Sequence, residues 1–174
     1  VPDVTAEVSD AEQRNFASSE GVLPYWASQD IPGIVTSYTD EISWHPIAEE
    51  RVYRGKHEVA EFFESLFGAI PDMDFVLTTK ISRGNFISEE FRLRGTQHGA
   101  YFGIPPTGRP IELYGMSMAR WRGGKLHADE FLFDSSVLIS QLGVFPAIAP
   151  PDSPLGRRIL RGLSRIMGGR GPER

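Results

Sequence analysis

The sequence contains no cysteine and only four histidines among its 174 residues. The lack of cysteine excludes disulfides, thiolate zinc sites and a cysteine nucleophile, and it agrees with a reducing cytoplasm. The histidines stand at positions 45, 57, 98 and 127, with no close ligand spacing between any two of them. We therefore predict that the protein has no metal site.

Long apolar runs and a net positive charge are also missing. No run of about 18 apolar residues is present, so we expect no membrane span. The opening residues 1–4 lack the basic start and apolar stretch of a signal peptide, which favours a cytoplasmic protein. The net charge of −5 argues against a nucleic-acid-binding body. The glycine-containing segments lack the strand, loop and helix order of a nucleotide site, so we predict no cofactor.

Helical patterns dominate the first part of the chain. Residues 55–68 give the clearest helix, because five apolar residues share one face. A first helix over 10–28 is indicated by the capping-box spacing of Ser9 and Glu12, with Gly21 and Pro24 expected to kink or divide it. A short second helix is predicted around 34–38. The apolar face of the 55–68 helix consists of Val59, Phe62, Phe63, Leu66 and Phe67.

Strand patterns follow from residue 75 onward. Their composition predicts strands over 75–81, 86–94, 111–121 and 126–134, in addition to a short strand over 41–45. Helices followed by a run of antiparallel strands is the order of an α+β fold. The connection from Gly95 to Pro110 is too rich in glycine and proline for a helix or a central strand, and we interpret it as scaffold.

This connection reads GTQHGAYFGIPPTGRP and is followed by Gly124-Lys125-Leu126 and Gln141-Leu142-Gly143. Together these motifs resemble the SnoaL-like polyketide cyclases of the nuclear-transport-factor-2-like superfamily, over roughly residues 10–143. The resemblance implies a cone-shaped, curved antiparallel sheet packed on N-terminal helices, with a central ligand pocket. It also implies a homodimer.

The resemblance directs attention to the last two strands. Cyclases of this family use an aspartate on the last strand as acid and base, assisted by a histidine on the preceding strand. Alignment through Gly124-Lys125-Leu126 places Phe131 and Ser117 at those two positions. The usual acid–base pair is therefore predicted to be absent, because phenylalanine cannot transfer a proton.

Asp129 is the best remaining candidate for a catalytic acid or base. Strand alternation places it on the same face as Phe131 and Phe133. Poor solvation among aromatic side chains would raise the pKa of its carboxyl towards neutrality. The alternative is that Asp129 lies in water at the strand mouth or pairs with Arg120.

Two histidines complete the predicted catalytic set. His45 ends the first strand and can relay protons near neutral pH, although a hydrogen bond to a backbone carbonyl would explain it equally well. His98 follows Gln97, which occupies the position of the family's usual loop histidine. A catalytic role for His98 would require that a histidine displaced by one residue from the family's usual position still functions.

The predicted substrate-binding residues come from separate elements. The resemblance places four aromatic residues around the ligand cavity, and these either widen its apolar wall or fill it. An open cavity would suit a cofactor-independent cyclase or isomerase acting on an apolar polyketide-like or other secondary-metabolite substrate. A filled one would suit a non-catalytic binding or accessory protein, and an epoxide hydrolase is a third option. The predicted set is Trp26, Trp44, Phe62, Tyr101, Ser117 and Phe131.

The domain organisation follows from composition. We predict an N-terminal extension over 1–9, the SnoaL-like domain over 10–145, a proline-rich linker over 146–154 and a basic amphipathic tail over 155–174. The tail carries six arginines and one glutamate. It could contact the acidic body of its own chain, a second subunit or an anionic surface.

Overall fold

The computed structural model describes residues 8–47, 49, 51–101, 103–144, 154, 157–158 and 161. The predicted linker, apart from Pro154, and the apolar face of the predicted tail lie outside the described residues. The elements in chain order are α1 (Asp10–Ala27), α2 (Ile31–Thr36), β1 (Tyr38–Pro46), β2 (Tyr53–Arg54), α3 (Gly55–Ala69), β3 (Asp74–Arg83), β4 (Phe86–Thr96), β5 (Pro110–Arg122), β6 (Lys125–Phe133) and α4 (Ser135–Gln141).

The strands form one sheet in the order β2-β1-β6-β5-β4-β3. The predicted α+β fold is confirmed, and the four strands of the second half run as an antiparallel meander. The sheet is mixed rather than antiparallel throughout, because β1 pairs with β6 in parallel. The chain leaves β1 through β2, crosses by α3 to the far edge and returns by hairpins, so β6 arrives beside β1 in the same direction. The alternation of apolar and polar residues within each strand does not indicate that β1 and β6 pair.

Helix α3 packs as its periodicity predicts. All five apolar residues of the predicted face are buried, and they form the centre of the core with residues of the sheet. Phe63 is fully buried and lies 5.2 Å from the Trp44 ring and 5.0 Å from the Trp26 ring. The helix therefore provides the floor beneath the concave face of the sheet.

Helix α1 is continuous, so the predicted division into two parts at Gly21 and Pro24 is wrong. Proline in a helix interior costs about 3 kcal/mol, and tertiary contacts on both sides of Pro24 offset that cost. Before it, the Asn15 side chain accepts from Gly124 N at 3.1 Å. After it, the Trp26 ring stacks on Phe75 with centroids 4.6 Å apart. The predicted cap is confirmed, because the Ser9 side chain accepts from the Glu12 amide.

The long connection between β4 and β5 is organised by Gln97, which is 1% exposed. Its side-chain oxygen accepts from the amide and the hydroxyl of Thr107, at 3.1 and 2.6 Å. Its side-chain nitrogen donates to the carbonyls of Ile104 and Pro105 at 3.3 Å. Gln97 thus fixes the proline turn of the connection that contains Tyr101.

Candidate functional site

A cavity of about 110 Å³ lies between the concave face of the sheet and helices α1 and α3. It is partly open to solvent, and its lining is mostly apolar. The six predicted substrate-binding residues all line it, so the open form of the pocket is the one present. They are Trp26, Trp44, Phe62, Tyr101, Ser117 and Phe131.

Four of these residues form what we call the aromatic cluster: Trp26, Trp44, Phe62 and Phe131. The Trp44 ring is central, with centroid distances of 6.2 Å to Trp26, 5.8 Å to Phe62 and 5.1 Å to Phe131. The rings meet at tilted angles, which is the arrangement their quadrupoles favour. This side of the cavity offers flat apolar surface to a ligand.

Asp129 lies inside the cavity wall, as strand alternation predicts. It is 7% exposed, and its Oδ1 has no hydrogen-bond partner among the described residues. Burial raises the pKa of its carboxyl well above the usual range, and the Glu89 carboxylate raises it further while the Ser117 hydroxyl lowers it. Arg120 does not pair with it, because the guanidinium lies over the Phe86 ring at 5.1 Å. Asp129 is therefore a buried carboxyl held towards its neutral form.

The two predicted catalytic histidines do not reach the cavity, and neither is among its lining residues. His45 follows Trp44 on β1, and successive side chains of a strand point to opposite faces. Its strand partner on β6 is the exposed Glu130. His98 is exposed, and its backbone amide donates to the Ala69 carbonyl at 2.8 Å. Both predicted catalytic histidines therefore lie outside the cavity.

The sequence analysis missed Lys80 and Glu89. Together with the predicted Ser117 and Asp129 they form what we call the polar row, which crosses the sheet. Lys80 pairs with Glu89 across β3 and β4, and Glu89 pairs with Ser117 across β4 and β5. Asp129 on β6 stands diagonally from Ser117, whose direct partner is Phe131. Directly opposite side chains have Cβ atoms about 4.5–5.5 Å apart, so neighbours in this row can interact.

Glu89 could have been found from its place in β4. The inward positions of that strand are otherwise apolar, with Ile87, Phe91 and Leu93 buried. A single carboxylate on an apolar face is a candidate functional group because its burial requires a partner. Burial raises the pKa of Glu89, and Lys80 partly lowers it again.

Tyr38 adds a buried phenol beside the polar row. It is 1% exposed, lines the cavity, and its ring stacks against Trp44 with centroids 6.1 Å apart. Burial raises the pKa of this phenol, as does the nearby Asp129 carboxyl, so the hydroxyl keeps its proton. Two further donors, the indole nitrogens of Trp44 and Trp121, are buried without a hydrogen-bond partner in the described part of the chain. The site is rich in neutral donors around an apolar space.

Among the described ranges, no three carboxylate or histidine side chains cluster in a way that could hold a metal ion. No helix within those ranges is long and apolar enough to cross a membrane.

The sequence profile of the SnoaL-like polyketide cyclases matches residues 21–142. No curated protein is significantly similar in sequence. Solved structures share the fold. A protein from Jannaschia sp. CCS1, assigned as a SnoaL-like polyketide cyclase, is 18% identical over 81% of this chain and 99% of its own, with a TM-score of 0.73. IdmH from Streptomyces antibioticus, assigned as a polyketide cyclase, is 22% identical over 74% and 98%, with a TM-score of 0.63.

A third solved structure with this fold carries a different assignment. AclR from Streptomyces galilaeus, assigned as a hydroxylase, is 18% identical over 78% of this chain and 99% of its own, with a TM-score of 0.67. One fold thus carries different assigned chemistries, and the function must be argued from the site.

Proposed function

The chain belongs to the SnoaL-like polyketide cyclase family, and on that premise we propose that it is a cofactor-independent cyclase or isomerase. Its substrate is an apolar, polyketide-like or related secondary-metabolite molecule that bears a carbonyl group. The single observation that carries the proposal is Asp129, a buried carboxyl facing an aromatic cavity. The usual acid–base pair of the family is replaced, so the catalytic set is non-standard.

The proposed chemistry is proton transfer at a carbon next to a carbonyl. A carboxyl kept neutral by burial can donate a hydrogen bond to the carbonyl oxygen as negative charge develops there. The apolar surroundings strengthen this interaction because water does not compete for it. The aromatic cluster would hold the flat part of the substrate against Asp129, and the unpartnered indole donors would suit its other oxygens.

A non-catalytic binding protein is the second candidate. It is favoured by one observation, namely that phenylalanine and serine stand where the resemblance places the family's aspartate and histidine. Under this reading the same cavity would take the same class of ligand, and Asp129 would serve as a hydrogen-bond donor only.

The two candidates are separated with 2-tetralone, a bicyclic ketone, as the probe. Proton NMR in D2O follows the loss of its α-hydrogen signals, and ligand-induced shifts in protein spectra report binding. We expect the wild type to accelerate exchange and Asp129→Asn to lose about 100-fold or more of that rate. Glu130→Gln is the matched control, because Glu130 is exposed on the opposite face of β6. Binding without exchange would contradict the enzyme and support the binding protein.

We also propose that the chain forms a homodimer through the outer face of the sheet. Tyr114, Met116 and Met118 are 49–64% exposed on β5, an unusual run of apolar groups for a monomer surface. The ion pair of Arg94 and Glu112 borders this patch, so both charge signs are available to a second copy related by a two-fold axis. Light scattering should report a dimer for the wild type and a monomer for Met118→Glu, and a monomeric wild type would overturn the proposal.

A further inference from the structure

The polar row depends on a β-bulge in β3. Leu77 pairs with Phe91 and Thr79 pairs with Glu90, so Thr78 is an extra residue in the strand. An extra residue reverses which face the following side chains occupy. Without it, Lys80 would lie on the face opposite Leu77 and point to solvent. With it, Lys80 stands directly across from Glu89 on the concave side.

Lys80 is held in that position by three partners. Its ammonium donates to the Ser19 hydroxyl at 2.9 Å, contacts the Glu20 carboxylate closely and lies 3.3 Å from the Glu89 carboxylate. The side chain of Lys80 is only 8% exposed and that of Glu89 only 18%. Burying a charged pair is costly, and the bulge places the Lys80 ammonium beside the Glu89 carboxylate, where it offsets part of the effect of burial on that carboxylate.

We propose that Glu89 is a second catalytic carboxylate, which accepts the proton from the substrate carbon while Asp129 donates to the carbonyl oxygen. This inference rests on the proposed function. The C–H bond breaks, its proton moves to a Glu89 oxygen, and its electron pair forms the carbon–carbon double bond of an enol as the carbonyl oxygen takes the Asp129 proton. In isomerisation, Glu89 returns its proton to carbon and Asp129 takes back the enol proton. In ring closure, the enol carbon attacks a second carbonyl, whose oxygen takes the proton from Glu89 while Asp129 takes back the enol proton.

The surroundings of the two carboxyls separate their roles. Glu89 pairs with Lys80 from β3 and stands opposite Ser117 on β5. It also interacts electrostatically with Glu20 on α1, Asp129 on β6 and the Tyr38 phenol on β1. Ser19 on α1 contacts Lys80 rather than Glu89 itself. Asp129 stands further along the row, next to Ser117 and without an ion pair among the described residues. One carboxyl with a cation and one without are suited to act as base and acid respectively.

The competing explanation is structural, because Lys80 also ties α1 to the sheet. If this were its only role, Glu89→Gln and Lys80→Met would lower the melting temperature without a specific effect on the rate. A catalytic Glu89 predicts more. Lys80 lowers the pKa of Glu89, and a base is active only when deprotonated, so removal of Lys80 should move the acidic limb of the pH–rate profile to higher pH while the enzyme stays active.

The test is exchange of 2-tetralone by the full chain and its variants, each checked by circular dichroism for folding. We expect Glu89→Gln to lose about 100-fold or more of the rate, and Lys80→Met to show the shifted profile. Glu90→Gln is the matched control, since Glu90 is the exposed neighbour on the other face of β4. Loss of activity in Asp129→Asn with full activity in Glu89→Gln would overturn this inference alone. No exchange by the wild type would overturn the proposed function together with it.

Discussion

The aromatic cluster and the polar row lie beside the same cavity, but burial affects their contributions to stability in opposite ways. Trp44 of the cluster packs against several other rings and is stabilised by the contacts that bury it. Asp129 of the row is buried beside Ser117 with one oxygen unpartnered, and burial works against its charged form. One side of the cavity thus contributes to stability, whereas the other retains reactive groups at the expense of stability.

The largest expected effect is on the aromatic side. Trp44→Ala removes a buried ring from the centre of the cluster, and such truncations cost about 3–5 kcal/mol of unfolding free energy. Denaturant unfolding measures the loss. Trp44→Phe is the matched control, because it keeps one aromatic ring and removes only the five-membered part of the indole with its nitrogen. A loss below about 1 kcal/mol for Trp44→Ala would show that the cluster is not a stabilising unit.

A smaller loss is expected for Gln97, which anchors the connection that contains the cavity-lining Tyr101. Gln97→Ala leaves buried backbone groups of the proline turn without partners, at a cost of about 1–3 kcal/mol. Tyr101 should then lose its fixed position, and binding of 2-tetralone should weaken. His98→Ala, one residue further on, removes an exposed side chain and should leave the free energy of unfolding unchanged. Equal effects of the two substitutions would refute the assignment of Gln97 as the loop's anchor.

Asp129→Asn should change the free energy of unfolding in the opposite direction from the aromatic substitutions, which lower it. The pKa of this carboxyl is raised in the folded state, so its contribution to stability is present below its unfolded pKa of about 3.9 and is lost as pH rises through the folded value. The variant lacks this loss and should gain stability relative to the wild type with increasing pH. Unfolding curves at acidic and neutral pH check the trend, and a pH-independent difference would contradict it.

Much of the fold could be predicted because apolar periodicity is local. The face of α3 and the bounds of the four long strands come from alternation that each segment displays by itself. The resemblance supplied the cavity residues, and Asp129 followed from counting two positions back from Phe131. Each of these inferences depends on the sequence of a single helix or strand.

The rest depended on tertiary structure. The bulge at Thr78 changes which face Lys80 occupies, and a sequence of threonines and a lysine gives no sign of it. The continuous α1 survives Pro24 because of contacts with distant residues such as Phe75. The parallel pairing of β1 with β6 depends on strand neighbours far apart in the chain. The position of His45, in contrast, follows from alternation with the inward Trp44.

The central claim is that the Asp129 carboxyl is held neutral inside a cavity that it shares with Glu89. Carbon-13 NMR of side-chain carboxyls across a pH titration tests it most directly, with Asp129→Asn identifying the signal. We predict a titration midpoint well above that of an ordinary aspartate, which falls when Glu89→Gln removes the neighbouring negative charge. A midpoint in the ordinary aspartate range, unchanged by Glu89→Gln, would contradict the account.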